Sequence, residues 1–310
     1  MRVAIIGRSE NLYDTAKVLA EAGHEIVLVI SAKEAPEYTR TLGDFRQLAA
    51  TVGAEFVHAP SMTATSDAID AIQRALPLDI GISYNYTGVI PQKAIDLFSL
   101  GILNAHGGDL PRYRGNACQA WAILNGESKI GLCVHKMIGG ELDSGDIVTR
   151  DYLPIGGATK ITAVVQWMAL RIPALMKDAV QALSHDPAYI LEPQSSRQAD
   201  ILRCYPRRPE DARIKWTSKA IEILRLINAS NKPYSGAFCE FETMRLTIWD
   251  AELLDDGEVF CAIPGQVTAI GSGHIDVACG KGKLRIKSIE VDAQPMVPND
   301  LIHSLRSRLT

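Results

Sequence analysis

The chain has 310 residues, 47% of them hydrophobic, enough for a sizeable buried core in one large domain or two. A formal net charge of −4 and a pI near 6.0 give no bulk electrostatic pull towards nucleic acid or anionic membrane. The six scattered cysteines form no C-x-x-C pair, which speaks against zinc ribbons, redox dithiols or another metal site and for buried reduced thiols.

The opening MRVAIIGRSE is too short an apolar run for a signal peptide, and no later run approaches the roughly 18 residues of a membrane span. A cytoplasmic protein is expected. Val3-Ala4-Ile5-Ile6-Gly7 reads as a buried parallel strand. Glu10 to Ala22 then carries Leu12, Ala16, Leu19 and Ala20 at helical spacing and closes at Gly23. Gly7-Arg8-Ser9 between them is not G-x-G-x-x-G, so no nicotinamide cofactor is indicated. A turn into a helix can still receive phosphate on its backbone N–H groups. Arg8, Ser9 and Tyr13 are therefore candidate substrate contacts, the alternative being a solvated turn.

Glu25 to Ile30, Ala54 to Val57 and Leu78 to Ser83 read as further strands, with helices over Gly43–Gly53 and Thr65–Leu76. Such alternation predicts a doubly wound, mostly parallel α/β sheet, with ligands beyond the carboxyl ends of its strands. The next stretch, Tyr84-Asn85-Tyr86-Thr87-Gly88-Val89-Ile90-Pro91, is either a packed loop or part of a ligand site. Asn104 and His106 follow an apolar run, two apart, so in a strand both project to one face. Gly107 and Gly108 come at once after them. Further on, Leu142-Asp143-Ser144-Gly145-Asp146 precedes another strand, Ile147 to Pro154. An amide, an imidazole and a carboxylate converging there would stabilise an oxyanion and move a proton; the bland alternative is a structural histidine and an ordinary turn. Arg114 is either an anion-binding cation or a surface arginine, and Trp121 reads as core.

Ile130 to Met137 reads as a strand, and Thr162 to Leu183 as a long helix broken near Pro173. The Pro-, Ser- and Gln-rich run 185–200 reads as a linker. Beyond it Thr217 or Ser218 caps a helix bearing Ile221, Leu224 and Ile227. Phe238–Phe241, Arg245–Asp250, Gln266–Ile270, His274–Ala278 and Lys283–Ile289 are short strands of a small barrel.

The blocks Asn104-x-His106, Leu110-Pro111-x-Tyr113-Arg114-Gly115, Ala122-Ile123-x-Asn125-Gly126 and Leu142-Asp143-x-Gly145, in that order, resemble the folate-dependent formyltransferase family. The resemblance implies a Rossmann-like formyltransferase domain over 1–188, a linker over 189–206 and an OB-like barrel domain over 207–310. It implies 10-formyltetrahydrofolate as co-substrate, held by Tyr86, Thr87, Gly88, Val89 and Ile90 together with Ile138 and Leu142. Asn104, His106 and Asp143 become the catalytic residues, Asp143 rather than Asp146 because the family's carboxylate directly follows the leucine. Arg8, Ser9, Tyr13, Gly108 and Arg114 fall to the substrate, and a homodimer is implied.

For the acceptor amine, a charged tRNA would call for a basic loop after the second strand, where this chain has only Ser31-Ala32-Lys33-Glu34-Ala35-Pro36-Glu37-Tyr38. Residues 201–310 are nearly balanced, with 15 Lys and Arg against 14 Asp and Glu. His106-Gly107-Gly108-Asp109 also departs from the Ser-Leu pair usual after the histidine in the tRNA branch. The expected substrate is a nucleotide-linked amino sugar; methionyl-tRNA, and a non-catalytic folate-binding role, are the alternatives.

Overall fold

In the computed structural model, residues 1–35, 38–63, 66–255 and 257–310 are described. Thr65, expected to open a helix, and Pro36-Glu37 of the loop after the second strand lie outside the described residues. The chain divides into two compact units. One comprises Met1–Gly115, Ile130–Leu153 and Gln166–Cys204, the other Asn116–Lys129, Pro154–Val165 and Tyr205–Thr310. Most of the expected linker thus belongs to the first unit: Leu191 and Glu192 hydrogen-bond to Ile147.

The first unit is built on strands β1 (Arg2–Gly7), β2 (Glu25–Ser31), β3 (Glu55–His58), β4 (Ile80–Tyr84) and β5 (Ile102–His106). The pair β6 (Arg114–Gly115) and β9 (Arg203–Cys204) is separate, and β7 (Lys129–Lys136) and β8 (Ile147–Pro154) complete the main sheet. Its order is β3-β2-β1-β4-β5-β7-β8, parallel from β3 to β5, with β7 antiparallel to β5. β1 and β4 are buried along nearly their whole length, because helices cover both faces of a sheet of this kind. Helix α1 (Glu10–Glu21) is capped by Ser9, and α2 (Leu42–Val52) by a Thr41–Asp44 capping box. Helices α3 (Asp67–Ala75) and α4 (Gln92–Ile95) follow β3 and β4.

Helix α5 (Cys118–Asn125) belongs to the second unit, while α6 (Ile161–His185) contributes residues to both. α6 runs unbroken through Pro173, contrary to the expected break. Ile172, Met176, Ala179, Val180 and Leu183 are fully buried around it, and that packing outweighs the one backbone hydrogen bond a proline forfeits.

In the second unit, helix α7 (Ala220–Ala229) starts after Lys219 rather than after Thr217 or Ser218. Strands β10 (Ala237–Phe241), β11 (Met244–Leu254), β12 (Val267–Gly271), β13 (His274–Ala278) and β14 (Lys283–Val291) pair in the order β10-β11-β14-β13-β12. β15 (Gln294–Met296), absent from the expected set, pairs with β14. The antiparallel sheet does not close on itself as a barrel. Instead the chain end bridges both of its edges, Leu309 opposite Phe241 of β10 and Arg308 opposite Gln266 beside β12. Trp121, expected in a core, is half-buried and donates its indole N–H to the Tyr205 carbonyl within this unit. A ring with one end packed and one end wet keeps its N–H at the surface, where a chain carbonyl accepts it.

Candidate active site

Strand β5 carries Asn104 in register with Ser83 of β4 on one side and with His135 of β7 on the other. His106 closes the strand and is 8% exposed. The turn between β7 and β8 brings Asp143 to this place: its Oδ2 lies 3.6 Å from His106 Nδ1, and its Oδ1 lies 3.5 Å from His135 Nε2. The Gly115 N–H donates to Asp143 Oδ2 at 2.9 Å. Asp143 adopts a left-handed backbone (φ 48°), which non-glycine residues take up only where the surroundings enforce it.

The hydrogen bonds assign each ring a form. His106 Nε2 is 2.7 Å from the Tyr113 carbonyl, which can only accept, so Nε2 carries the hydrogen and Nδ1 presents a lone pair towards Asp143. Burial pushes the His106 imidazolium below its ordinary value, against Asp143 and the Tyr113 carbonyl, which favour the charged form. Burial would raise the Asp143 carboxyl, but His106, His135 and the Gly115 N–H outweigh it and hold the group well below the usual carboxylate range. Asp143 is thus held ionised, while burial and the Asp143 charge pull the His106 ring in opposite directions, with burial the larger. His135 donates from Nδ1 to the Lys136 carbonyl at 2.9 Å, and its Nε2 lies between Asn104 Nδ2 at 3.3 Å and Asp143 Oδ1 at 3.5 Å. That contact turns the Asn104 amide nitrogen into the site, and the amide has a second N–H to offer.

Gly108 has a specific reason to be glycine. A Cβ there would stand 2.3 Å from the Tyr113 carbonyl oxygen and 2.5 Å from His106 Nε2, in the path of the bond that orients the ring. Of the residues assigned to the folate, Tyr86 donates its hydroxyl to the Ala59 carbonyl at 3.0 Å, and burial pushes that hydroxyl's pKa up to about 12. Ile90 is buried and Thr87 exposed, with Gly88 packed on Tyr86 and Pro60. Val89, Ile138 and Leu142 are exposed apolar side chains. The turn bearing Ile138 meets α4 directly after the Tyr84–Pro91 loop, where the Gly139 N–H donates to Gln92 Oε1 at 2.7 Å.

The residues assigned to the substrate are more enclosed than expected. Arg8 is 1% exposed and already engages Glu34 at 2.6 Å, because a guanidinium this deep needs a counter-charge. Its Nε and Nη1 have no hydrogen-bond partner. Ser9 spends its hydroxyl accepting from the Leu12 N–H. Tyr13 lies under the Arg40 guanidinium, 4.3 Å from ring centroid to Cζ. Arg114, read as a loop cation, is buried, and its Nη2 donates to Gln194 Oε1 at 2.9 Å and to the Ser195 carbonyl; its Nε has no partner. Asp146, rather than bonding within its own turn, accepts from the distant Gln194 N–H at 3.2 Å.

His135 and Gln194 were missed. His135 alternates with Cys133 along a predicted strand, but only the register against β5, which a sequence does not print, sets it opposite Asn104. Gln194 gave no signal at all. Five cysteines are buried, with burial raising the thiols of Cys133 to about 11 and of Cys239 and Cys279 to about 12; Cys261 is exposed, unlike the expectation for all six. Among the described residues no helix is long and apolar enough to cross a membrane, and no three His, Cys, Asp or Glu side chains gather as metal ligands.

An amide donor, an imidazole and an ionised carboxylate meeting beside one strand of a mostly parallel α/β sheet can stabilise an oxyanion and move a proton. The chain belongs to the formyl transferase family: the formyl transferase domain matches residues 1–176, and the family's C-terminal domain matches residues 207–306. Among its relatives is a methionyl-tRNA formyltransferase of Ralstonia nicotianae, 28% identical over 96% of this chain and 93% of the relative. Among solved structures, HypX from Aquifex aeolicus in complex with tetrahydrofolic acid superposes with a TM-score of 0.60 at 16% identity. That match covers 98% of this chain and 47% of HypX, so the chain spans about half of that protein's length. An N-formyltransferase from Helicobacter canadensis, in complex with folinic acid and dTDP-3-aminofucose, gives a TM-score of 0.66 at 15% identity, over 92% of this chain and 98% of that one.

Proposed function

We propose that the protein transfers a formyl group from 10-formyltetrahydrofolate to the primary amine of a nucleotide-linked amino sugar. The observation that carries the transfer is the approach of Asp143 to both His106 and His135, with Asn104 bonded to His135. The folate supplies the formyl carbon. The exposed apolar side chains Val89, Ile138 and Leu142, on two adjoining loops, suit a flat ring, and the loop Tyr86–Ile90 would hold it.

As the amine nitrogen bonds to the formyl carbon, charge grows on the carbonyl oxygen; it is given up again when the carbonyl re-forms and the bond to the donor nitrogen breaks. Asn104 donates an N–H to that oxygen. His106 Nδ1 takes the proton shed by the amine, Asp143 balances the imidazolium, and the ring returns the proton to the departing nitrogen. Each member ends as it began.

Two observations favour a small acceptor. After β2, Thr39 and Arg40 are tied back to α1, with Glu10 accepting from both of their N–H groups, instead of extending as a basic arm. Arg8 and Arg114 are two cations of the kind a pyrophosphate needs, and binding would have to uncover their buried, unpartnered nitrogens. Methionyl-tRNA is the second reading, favoured by the relative from Ralstonia nicotianae that matches nearly the whole chain. Folate release measured against a panel of nucleotide-linked amino sugars and against methionyl-tRNA separates the two. Turnover with a sugar of the panel is expected, and activity on charged tRNA alone overturns this choice. Folate binding without turnover on any amine would instead indicate a non-catalytic relative.

A further inference from the structure

Gln194 lies in a stretch whose composition reads as a linker, yet its side chain is engaged by the loop that carries Asp143. Its Nε2 donates to the Asp143 carbonyl at 2.9 Å and to the Gly145 carbonyl at 2.5 Å. Its Oε1 accepts from Arg114 Nη2 at 2.9 Å. Two acceptors at one end and a guanidinium at the other leave a single orientation for this amide, since a flip would set oxygen against oxygen and nitrogen against nitrogen. The main chain joins in: the Gln194 N–H donates to Asp146 Oδ1 at 3.2 Å.

The turn so held needs a clamp. Asp143 sits in a left-handed conformation disfavoured for any residue with a Cβ. Gly145 presses against β7 so closely that a Cβ would stand 1.9 Å from the Lys136 carbonyl oxygen. A carboxylate 3.6 Å from an imidazole nitrogen loses about a third of its Coulomb attraction for the charged ring, and any direct contact with it, if it withdraws by about 2 Å. The turn's backbone places that carboxylate, and Gln194 binds the backbone on both sides of Ser144.

We propose that Gln194 is a positioning residue for the transfer reaction: it holds the Asp143 turn in register with His106, and Arg114 fixes its amide in the working orientation. This rests on the formyl-transfer reading of the site. Arg114 accordingly serves the turn as well as any anion.

Two variants test it. Gln194→Met keeps the length and removes all three side-chain bonds. Gln194→Glu keeps an acceptor for Arg114 but opposes two carbonyl oxygens with a third acceptor. Each is expected to lose kcat by about 10–100-fold with both KM values within about twofold, as supporting residues around a reactive group do. The second readout is titration of the His106 ring by ¹⁵N NMR. Its midpoint should move to lower pH in both variants, the direction given by Asp143→Asn, because the carboxylate that favours the charged ring has drifted away. A loss of kcat with an unmoved His106 titration, or wild-type kcat in both variants, overturns the proposal. Should the Met variant not fold, the Glu variant carries the test. If the wild type formylates no amine, the functional reading fails, and the imidazole titration alone still decides whether Gln194 holds Asp143 in place.

Discussion

Gly108 and Asp143 show how few atoms the site leaves free. Gly108→Ala drives a methyl group into the His106–Tyr113 hydrogen bond, so the ring must turn. A misplacement near 1 Å costs about 10²-fold in rate, and kcat should fall by that order while the protein stays folded by circular dichroism. Asn104→Ala removes one oxyanion donor, for which about 10²–10³-fold in kcat is expected. Stability should report the ionised Asp143 and the buried His106. Both groups titrate lower in the folded chain than their ordinary values of 3.8 and 6.5, so the unfolded chain binds more protons as pH falls. Their contribution is complete above about pH 6.5; it declines first as His106 is pushed towards charging and again below the carboxylate range. Thermal melts at pH 7.5 and 5.5 should differ less in His106→Gln than in the wild type. Asn104, His106 and Asp143 were legible because each stands inside a short motif with fixed neighbours. His135 and Gln194 were not: one depends on an inter-strand register, the other on a loop folding back over 51 residues.

Elements were legible where local chemistry decides them. The apolar face of Phe45, Leu48 and Ala49 announces α2, Gly53 ends it, and strand β8 covers the expected Ile147 to Pro154. Pro173 misled because burial of its neighbours in α6 decides against local propensity. The second unit adds a feature that no strand pattern announces. Residues 307–310 bond to both edges of its sheet: the Glu240 N–H meets the Thr310 carbonyl at 2.7 Å, and the Val267 N–H meets the Ser307 carbonyl at 3.1 Å. Leu309 is 1% exposed in that seam. Leu309→Ala should therefore cost about 2–5 kcal/mol of the second unit's stability, read as a lowered denaturant midpoint. A change under about 0.5 kcal/mol would mean that the chain end merely rests on the sheet.

At the scale of the molecule, charge argues about the acceptor. A net charge of −4 and a balanced C-terminal half give a tRNA little to hold, so binding of tRNA in a gel shift at about 150 mM salt should be weak and nearly flat with salt. A steep salt slope would move the acceptor towards nucleic acid. The most direct measurement is single-turnover formyl transfer from 10-formyltetrahydrofolate to an amino-sugar acceptor, comparing the wild type with Asp143→Asn. A loss of at least about 10²-fold in the asparagine variant, with folate affinity retained, is the result predicted from the contact between Asp143 and His106. Transfer within a few-fold of the wild type would contradict it.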